Sequence, residues 1–144
     1  MVVLGRGGSI GFFQGDVLKL LDDIAALRPT IFVSVPRLYN RIYDKILQAI
    51  DESPVKRALF DMGFKAKLEN FAATGAVVHP FWDWLLFSKI REKLGGRVRL
   101  MMTGSAPISS RVLDFLRMCF SSHVVEGYGQ TEGTAMVSDG PLEF

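Results

Sequence analysis

Two short segments hold the residue types that could do chemistry. Thr103-Gly104-Ser105-Ala106-Pro107 follows the alternating run Arg97 to Thr103, and Glu126-Gly127-Tyr128-Gly129-Gln130-Thr131-Glu132-Gly133 follows His123-Val124-Val125. Gly104 lets the backbone approach a flat ligand closely. Ser105 adds a hydroxyl, and Pro107 stiffens the exit. In the second segment Tyr128 is an aromatic plate with glycines on either side. The Thr131 hydroxyl can donate to a phosphate oxygen, and Glu132 is a hard carboxylate suited to Mg²⁺ carrying polyphosphate. Base plate, phosphate donor and metal ligand together describe a nucleotide site. A pair of tight turns around a buried tyrosine would account for the same residues without a ligand. Neither a GxxxxGK phosphate loop nor a GxGxxG dinucleotide fingerprint occurs in the sequence.

The elements that must position these loops read as follows. Asp16 caps a helix to Leu27 through Val17, Leu20, Leu21 and Ile24, and Arg28-Pro29 ends it. Thr30 to Val35 is an apolar, β-branched run that predicts a buried strand. Arg37 to Ile50 is an amphipathic helix with Leu38, Ile42 and Ile46 on one stripe. Ser53-Pro54 starts a helix to about Ala72, Gly75 to His79 is a loop, and Pro80 starts another helix closed by Gly95-Gly96. Arg97 to Thr103 is a strand. Ser109 or Ser110 caps a helix through Val112, Leu113, Leu116 and Cys119, and His123 to Glu126 is a short strand. This order predicts an α/β fold with a mostly parallel sheet and flanking helices. Both loops then lie at carboxyl ends of strands, where open α/β sheets bind ligands. One helix separates them, so their strands should be neighbours.

Composition narrows the field. At 144 residues the chain is one ordinary globular domain or part of a larger one. With 49% hydrophobic residues and a net charge of +2 it is not a disordered segment. It has no apolar run long enough to span a bilayer, and the region Gly75 to Phe87 is cut by His79, Pro80 and Asp83. Cys119 alone excludes a disulfide scaffold, and with two His it builds no ordinary metal cluster. An isoelectric point near 8.8 gives no argument for a nucleic-acid partner. All 17 Lys and Arg precede residue 125, whereas Glu126, Glu132, Asp139 and Glu143 follow without a base. Those acids suit a cation, or are simply solvated. Seven of the sixteen aromatics fall between Phe60 and Phe87. Core packing, including Trp82, Trp84 and Phe87, is favoured over an apolar ligand wall or a membrane face. His79 and His123 receive no catalytic role, and Cys119 reads as buried and inert.

At this point the motifs carry a resemblance. YGQTE (128–132) after a GSAP turn (104–107) resembles the adenylate-forming superfamily of acyl-CoA synthetases, luciferases and peptide synthetase adenylation domains. IGFFQGD (10–16), LRPTIFVSVPRLYNRIYDKI (27–46), LGGRVRLMMTGSAPIS (94–109) and EGYGQTE (126–132) narrow it to the long-chain fatty acid–CoA ligase branch. The resemblance implies a two-step ligation. A fatty acid carboxylate attacks ATP to give an acyl-adenylate, and coenzyme A then displaces AMP. It implies that Gly104, Ser105 and Ala106 line the adenine and that Tyr128 stacks on it. Thr131 would contact the AMP phosphate and Glu132 would hold Mg²⁺, with Glu126 and Gln130 among the nucleotide-binding positions. Gly127 and Gly129 would shape the loop near the acyl carbonyl. Tyr39, after Val35-Pro36, matches a segment that can gate the acyl tunnel; a helix residue packed on the sheet fits it equally. The substrate implies peripheral contact with a membrane surface, of the endoplasmic reticulum or peroxisome, or a cytoplasmic location.

The same resemblance divides the chain into an atypical start, 1–9, and the central part of an AMP-binding domain, 10–144. Neither the family's phosphate loop with its lysine nor its C-terminal domain is found in these residues. Met1 to Gly15, which holds five Gly and no secretory pattern, and Ser138 to Phe144, expected to form neither helix nor strand, are expected to mark cuts through a larger fold. Three readings follow: part of an active ligase, a non-catalytic nucleotide- or acyl-binding module, or an unstable piece with bare strand edges beside Thr30 to Val35 and Arg97 to Thr103. By itself the chain is expected to be poorly soluble and to form no acyl-CoA above a Glu132→Ala control.

Overall fold

The computed structural model describes residues 2–12, 14–16, 19–104, 106–128 and 136–138, with only the backbone at 2–3, 128 and 136–138. Proline sets three of the helix starts. Its missing N–H is no loss in a first turn, and its fixed φ is already helical. Thus α3 runs Pro36–Asp51, α4 runs Pro54–Thr74, and α5 is the short Pro80–Trp82. Ser53 flanks α4, but its hydroxyl makes no cap bond. Ser109 does cap a helix, accepting from the Val112 N–H at 3.4 Å ahead of α7, Ser110–Phe120. Of the remaining helices, α1 is Val2–Gly5, α2 is Leu20–Leu27 and α6 is Ser88–Glu92. The expected Asp16 start of α2 is not observed. The Gln14 N–H and side-chain amide bind the Asp23 carboxylate at 3.1 and 2.8 Å, folding the preceding segment back, and the helix opens after Lys19. Val17 lies outside the described residues. The helix α1 was not expected from its glycine-rich sequence.

Four strands form one sheet in the order β1 (Ile31–Ser34), β2 (Leu100–Gly104), β3 (His123–Tyr128), β4 (Met136–Ser138). The first three are parallel, and β4 is antiparallel to β3, with Gly127 opposite Val137. Two expectations are corrected here. Arg97 to Thr103 contains a central strand rather than a bare edge, because β2 is paired on both sides. Ser138, expected to be unstructured, belongs to β4.

α3, α4 and α7 pack against one another over one face of the sheet. Ile42, Ile46, Phe60, Leu113, Leu116, Met101 and Val124 meet in that layer. β1 is therefore half-covered rather than buried as expected. Phe32 packs on the core, while Ile31 and Val33 are 52% and 67% exposed on the other face. A continuous apolar run does not distinguish a strand covered on two faces from one covered on one.

The helical layer is locked by a buried charge. Lys67 on α4 is 1% exposed, and its Nζ lies 2.6 Å from Asp83 Oδ1, 2.6 Å from the Met118 carbonyl oxygen and 2.8 Å from Ser121 Oγ. The ammonium also sits 4.7 Å from the centre of the Phe87 ring. Asp83 Oδ2 accepts the His79 N–H at 2.8 Å. Asp83–Phe87 is a π-helical turn, closed by the Ser88 N–H on the Asp83 carbonyl. Burial pushes the Lys67 ammonium below its ordinary value, and Asp83 opposes that shift. Removing one partner of such a pair costs about 3–5 kcal/mol, because the other charge stays buried. Cys119, buried beside this cluster, has its thiol pushed well up by desolvation. Arg28 ends α2 in the left-handed region and donates from Nε to the Gly95 carbonyl at 3.0 Å. Gly95 is required there, since a Cβ on it would lie 2.6 Å from Arg28 Cα.

The aromatic cluster is mainly core, with two corrections. Phe60 and Phe87 are buried, but Phe81 and Trp84 are 55% and 76% exposed. They lie on the outer side of the Pro80 helix, away from the face that Asp83 and Phe87 bury.

Tyr39 is fully buried, and its hydroxyl lies 2.9 Å from the Phe32 carbonyl oxygen and 3.1 Å from that of Met102. It donates its one proton between β1 and β2. Burial raises its pKa far above the ordinary 10.0. An acid raised on folding contributes stability below its unfolded pKa and loses it as pH rises beyond. Tyr39→Phe should therefore lower stability at pH 8 by about 1 kcal/mol, the worth of one hydrogen bond. It should also flatten the loss of stability above pH ~10. Urea unfolding from pH 8 to 11 checks both effects.

Candidate functional site

The carboxyl ends of β2 and β3 lie side by side. Thr103 pairs with Glu126, and Gly104 with Gly127. This brings the roots of both chemistry-bearing loops together. The approach is closer than side chains permit, because a Cβ on Gly104 would stand 2.8 Å from the Gly127 carbonyl oxygen. The obstacle is backbone and cannot swing away. A Cβ on Gly127 would meet only the Thr103 carbonyl oxygen, at an ordinary 3.6 Å.

The expected site residues fall as follows. Gly104 ends β2, and Ala106 is exposed on the loop beyond. Glu126 and Gly127 are half-buried on β3, and Tyr128 ends that strand. Ser105, Gly129, Gln130, Thr131 and Glu132 lie outside the described residues. Tyr39 is not at the loops; it lies in the core beneath Met102, two residues before Gly104. Neither histidine stands at the loops: His79 Nδ1 caps α5, and His123 is exposed at the start of β3.

One feature of the site was missed in the sequence. Met101 and Val124 are buried on the helix-covered face, and side chains alternate along a strand. Thr103 and Glu126, two residues on, therefore share that face, as does Ser34 two residues after Phe32. Register joins Ser34, Thr103 and Glu126 in one cross-strand row at the carboxyl end of the sheet. Thr103 is 3% exposed, and its hydroxyl has no hydrogen-bond partner among the described residues. The pairing of β2 with β3 was needed to see this.

At the opposite, amino end of the strands a cleft of about 360 Å³ opens between Thr30, Arg91, Arg97, Arg99 and Ser121. It holds none of the expected residues. Among the described residues no group of three or more His, Cys, Asp and Glu is placed to hold a metal ion. No helix there is long and apolar enough to cross a membrane.

Comparison with known proteins gives a consistent picture. A family model described as AMP-binding enzyme matches residues 1–143. The peroxisomal long chain acyl-CoA synthetase 7 of Arabidopsis thaliana is 54% identical over 133 residues, which is 92% of this chain and 19% of that protein. Long-chain-fatty-acid–CoA ligase 1 of Homo sapiens is 47% identical over 134 residues, 93% of this chain and 19% of that protein. The chain thus spans about a fifth of the length of the curated relatives it matches. Among solved structures, the adenylation domain of a carboxylate reductase from Mycobacterium chelonae superposes with a TM-score of 0.63 at 26% identity, over 92% of this chain and 18% of that one. The A domain of a carboxylic acid reductase from Segniliparus rugosus, in complex with AMP and a co-purified carboxylic acid, gives 0.56 at 26% identity, over 97% and 18%.

The glycine contact predicts an asymmetry. Gly104→Ala should destabilise the fold by about 1–3 kcal/mol, the usual range for overpacking. Gly127→Ala should cost clearly less. Thermal melts of the two variants beside the parent chain measure the difference.

Proposed function

The chain belongs to the AMP-binding enzyme family, and on that premise we propose that it supplies the nucleotide-contacting loops of a long-chain fatty acid–CoA ligase. The reaction is ATP-dependent activation of a fatty acid to an acyl-adenylate, followed by thioester formation with coenzyme A. The observation that carries this reading is about 50% identity to long-chain acyl-CoA synthetases over more than nine-tenths of the chain. The juxtaposed loop roots support it from the side of geometry.

The residues fit a nucleotide. Glycine-lined turns at the carboxyl end of a parallel sheet offer backbone close to a flat ring. By the family resemblance Gly104, Ser105 and Ala106 would line the adenine and Tyr128 would stack on it. Glu126 and Gln130 would be among the nucleotide-binding positions, and Gly127 and Gly129 would shape the loop near the acyl carbonyl. Thr131 donates to the AMP phosphate. Glu132 would hold Mg²⁺, which would supply charge neutralisation on the phosphates. Such chemistry depends more on placing positive charge and donors at the phosphates than on a general acid or base.

The acyl chain requires an apolar channel. The burial of Tyr39, with its hydroxyl on the Phe32 and Met102 carbonyls, supports a helix residue packed on the sheet over a gate to that channel. Two of the Arabidopsis relatives are peroxisomal by name. That supports a peroxisomal location; the membrane surface, of the peroxisome or endoplasmic reticulum, is proposed because the fatty acid partitions there. Exposed Phe81 and Trp84 are the side chains through which the described part would touch it.

The test is ligand-dependent stability. At a hundredfold excess over its dissociation constant, AMP should stabilise the chain by about 2.7 kcal/mol. For a chain of this size that is a rise in Tm of roughly 5–10 °C. Tyr128→Ala and Thr131→Ala should abolish the rise. Glu132→Ala should spare the AMP effect and remove the Mg²⁺ dependence of the ATP effect. An unchanged Tm with AMP, for a parent chain that melts cooperatively, would overturn the nucleotide reading.

A further inference from the structure

A run of exposed apolar side chains is followed along the chain by a run of positive charge. Val78, Phe81, Trp84 and Leu85 are 49%, 55%, 76% and 37% exposed, at or just before the helical stretch that Pro80 opens. Residues 89–99 then hold Lys89, Arg91, Lys93, Arg97 and Arg99 against the single acid Glu92. Arg91, Arg97 and Arg99 line the cleft at the amino end of the strands, and no carboxylate lines it with them. Their charge is felt inside the fold, where Arg91 adds its repulsion to the burial that lowers the Lys67 pKa. Val78 belongs to both features, since it lines the cleft with the arginines and stands three residues before Phe81. Guanidinium groups gathered without acids suit phosphate. Exposed Trp and Phe rings suit the boundary between lipid headgroups and acyl chains.

We infer that this surface docks on an anionic phospholipid bilayer, with headgroup phosphates in the Arg91, Arg97 and Arg99 cleft and with Phe81 and Trp84 inserted beside them. The inference deepens the membrane contact proposed above and rests on it. Apolar side chains alone would bind any bilayer; the arginines add a choice of lipid. The two contributions act over different ranges. Charge draws the chain in across about a Debye length, ~10 Å at 0.1 M salt. Burial of the rings is short-ranged and scales with the apolar area removed from water. A bilayer is favoured over an acidic protein because the proposed substrate, a fatty acid, is held there. The cleft also lies at the opposite end of the strands from the roots of the two loops. Docking by that end turns the loop roots towards water, from which ATP and coenzyme A arrive.

Vesicle flotation tests this, because bound chain rises and aggregate sinks. The vesicles are phosphatidylcholine alone, or phosphatidylcholine with about 30 mol% phosphatidylserine as the source of negative surface potential. Phosphatidylserine should raise the partition coefficient about tenfold or more, and salt near ~1 M should remove that gain. Arg97→Gln and Arg99→Gln should each cut the gain about fivefold. Lys56→Gln removes an equal charge from an exposed site on α4, about 16 Å along the helix from Lys67. It should change the gain less than about twofold, beyond the reach of local screening. Trp84→Ala should weaken partition into both vesicles and leave their ratio unchanged. If the parent floats equally with both vesicles, the membrane contact stands and this inference is overturned. If it floats with neither, the contact falls and the inference with it. A loss in Lys56→Gln equal to that in Arg97→Gln also overturns it, since net charge and not the cleft would be at work. Two further results would reassign the cleft: a Tm raised by pyrophosphate but not in Arg97→Gln, without flotation, to a free phosphate, and capture on polyglutamate beads without flotation, to an acidic protein.

Discussion

The proximity of Gly104 to the Gly127 carbonyl is the constraint on which the site depends. A parallel sheet fixes neighbouring strands a little under 5 Å apart, but it does not dictate what happens where strands turn into loops. Here the β2–β3 ladder ends on the pair Gly104 and Gly127, and a Cβ on Gly104 would stand 2.8 Å from the neighbouring carbonyl. A side chain on Gly104 would press on that carbonyl, whereas one on Gly127 would meet only an ordinary contact. The two strand ends therefore lie side by side, with a row of polar residues, Ser34, Thr103 and Glu126, one pair before them.

The rest of the fold holds those strands in place by two unlike devices. One is apolar burial of α3, α4 and α7 against a single face of the sheet, which is strong but indifferent to small shifts of register. The other is polar and specific. Lys67 binds Asp83, the Met118 carbonyl and Ser121 together, joining α4 to the π-helical turn and to the end of α7. Tyr39 spans the carbonyls of Phe32 and Met102. Buried charge adds little net stability compared with well-packed apolar residues. It does penalise misplacement, since every shifted arrangement leaves an ammonium or a carboxylate unpaired. The residue after Met102 is Thr103, so the Tyr39 bridge ends one residue short of the polar row.

Much of this was legible locally. Pro36, Pro54 and Pro80 each open a helix, and Gly95-Gly96 adopts positive φ where a stop was expected. The parallel neighbours β2 and β3 followed from the order of elements, and the family followed from motifs spread over four segments. What stayed hidden depends on contacts distant in sequence. Nothing in the local sequence marks Lys67 and Asp83 for burial; packing of distant elements pairs them. The exposure of Val33 depends on which face of β1 lacks a covering layer, and that is not encoded within the strand. β4 is only three residues long and gains its identity from pairing with β3. The Asp16 start of α2 was misplaced, since the helix opens only at Leu20, and the bonds from Gln14 to Asp23 tie the preceding segment to its first turn.

The central claim is that the nucleotide sits at the carboxyl end of the sheet, between the loop that follows Gly104 and the loop that follows Gly127. Photolabelling with 8-azido-ATP, followed by peptide mapping, tests this most directly because the azide reports where the adenine ring lies. The account predicts label in the peptides spanning residues 104–107 and 126–132, lost when AMP is added in excess. AMP-competable label at the opposite end of the strands, around Arg91, Arg97 and Arg99, would contradict it.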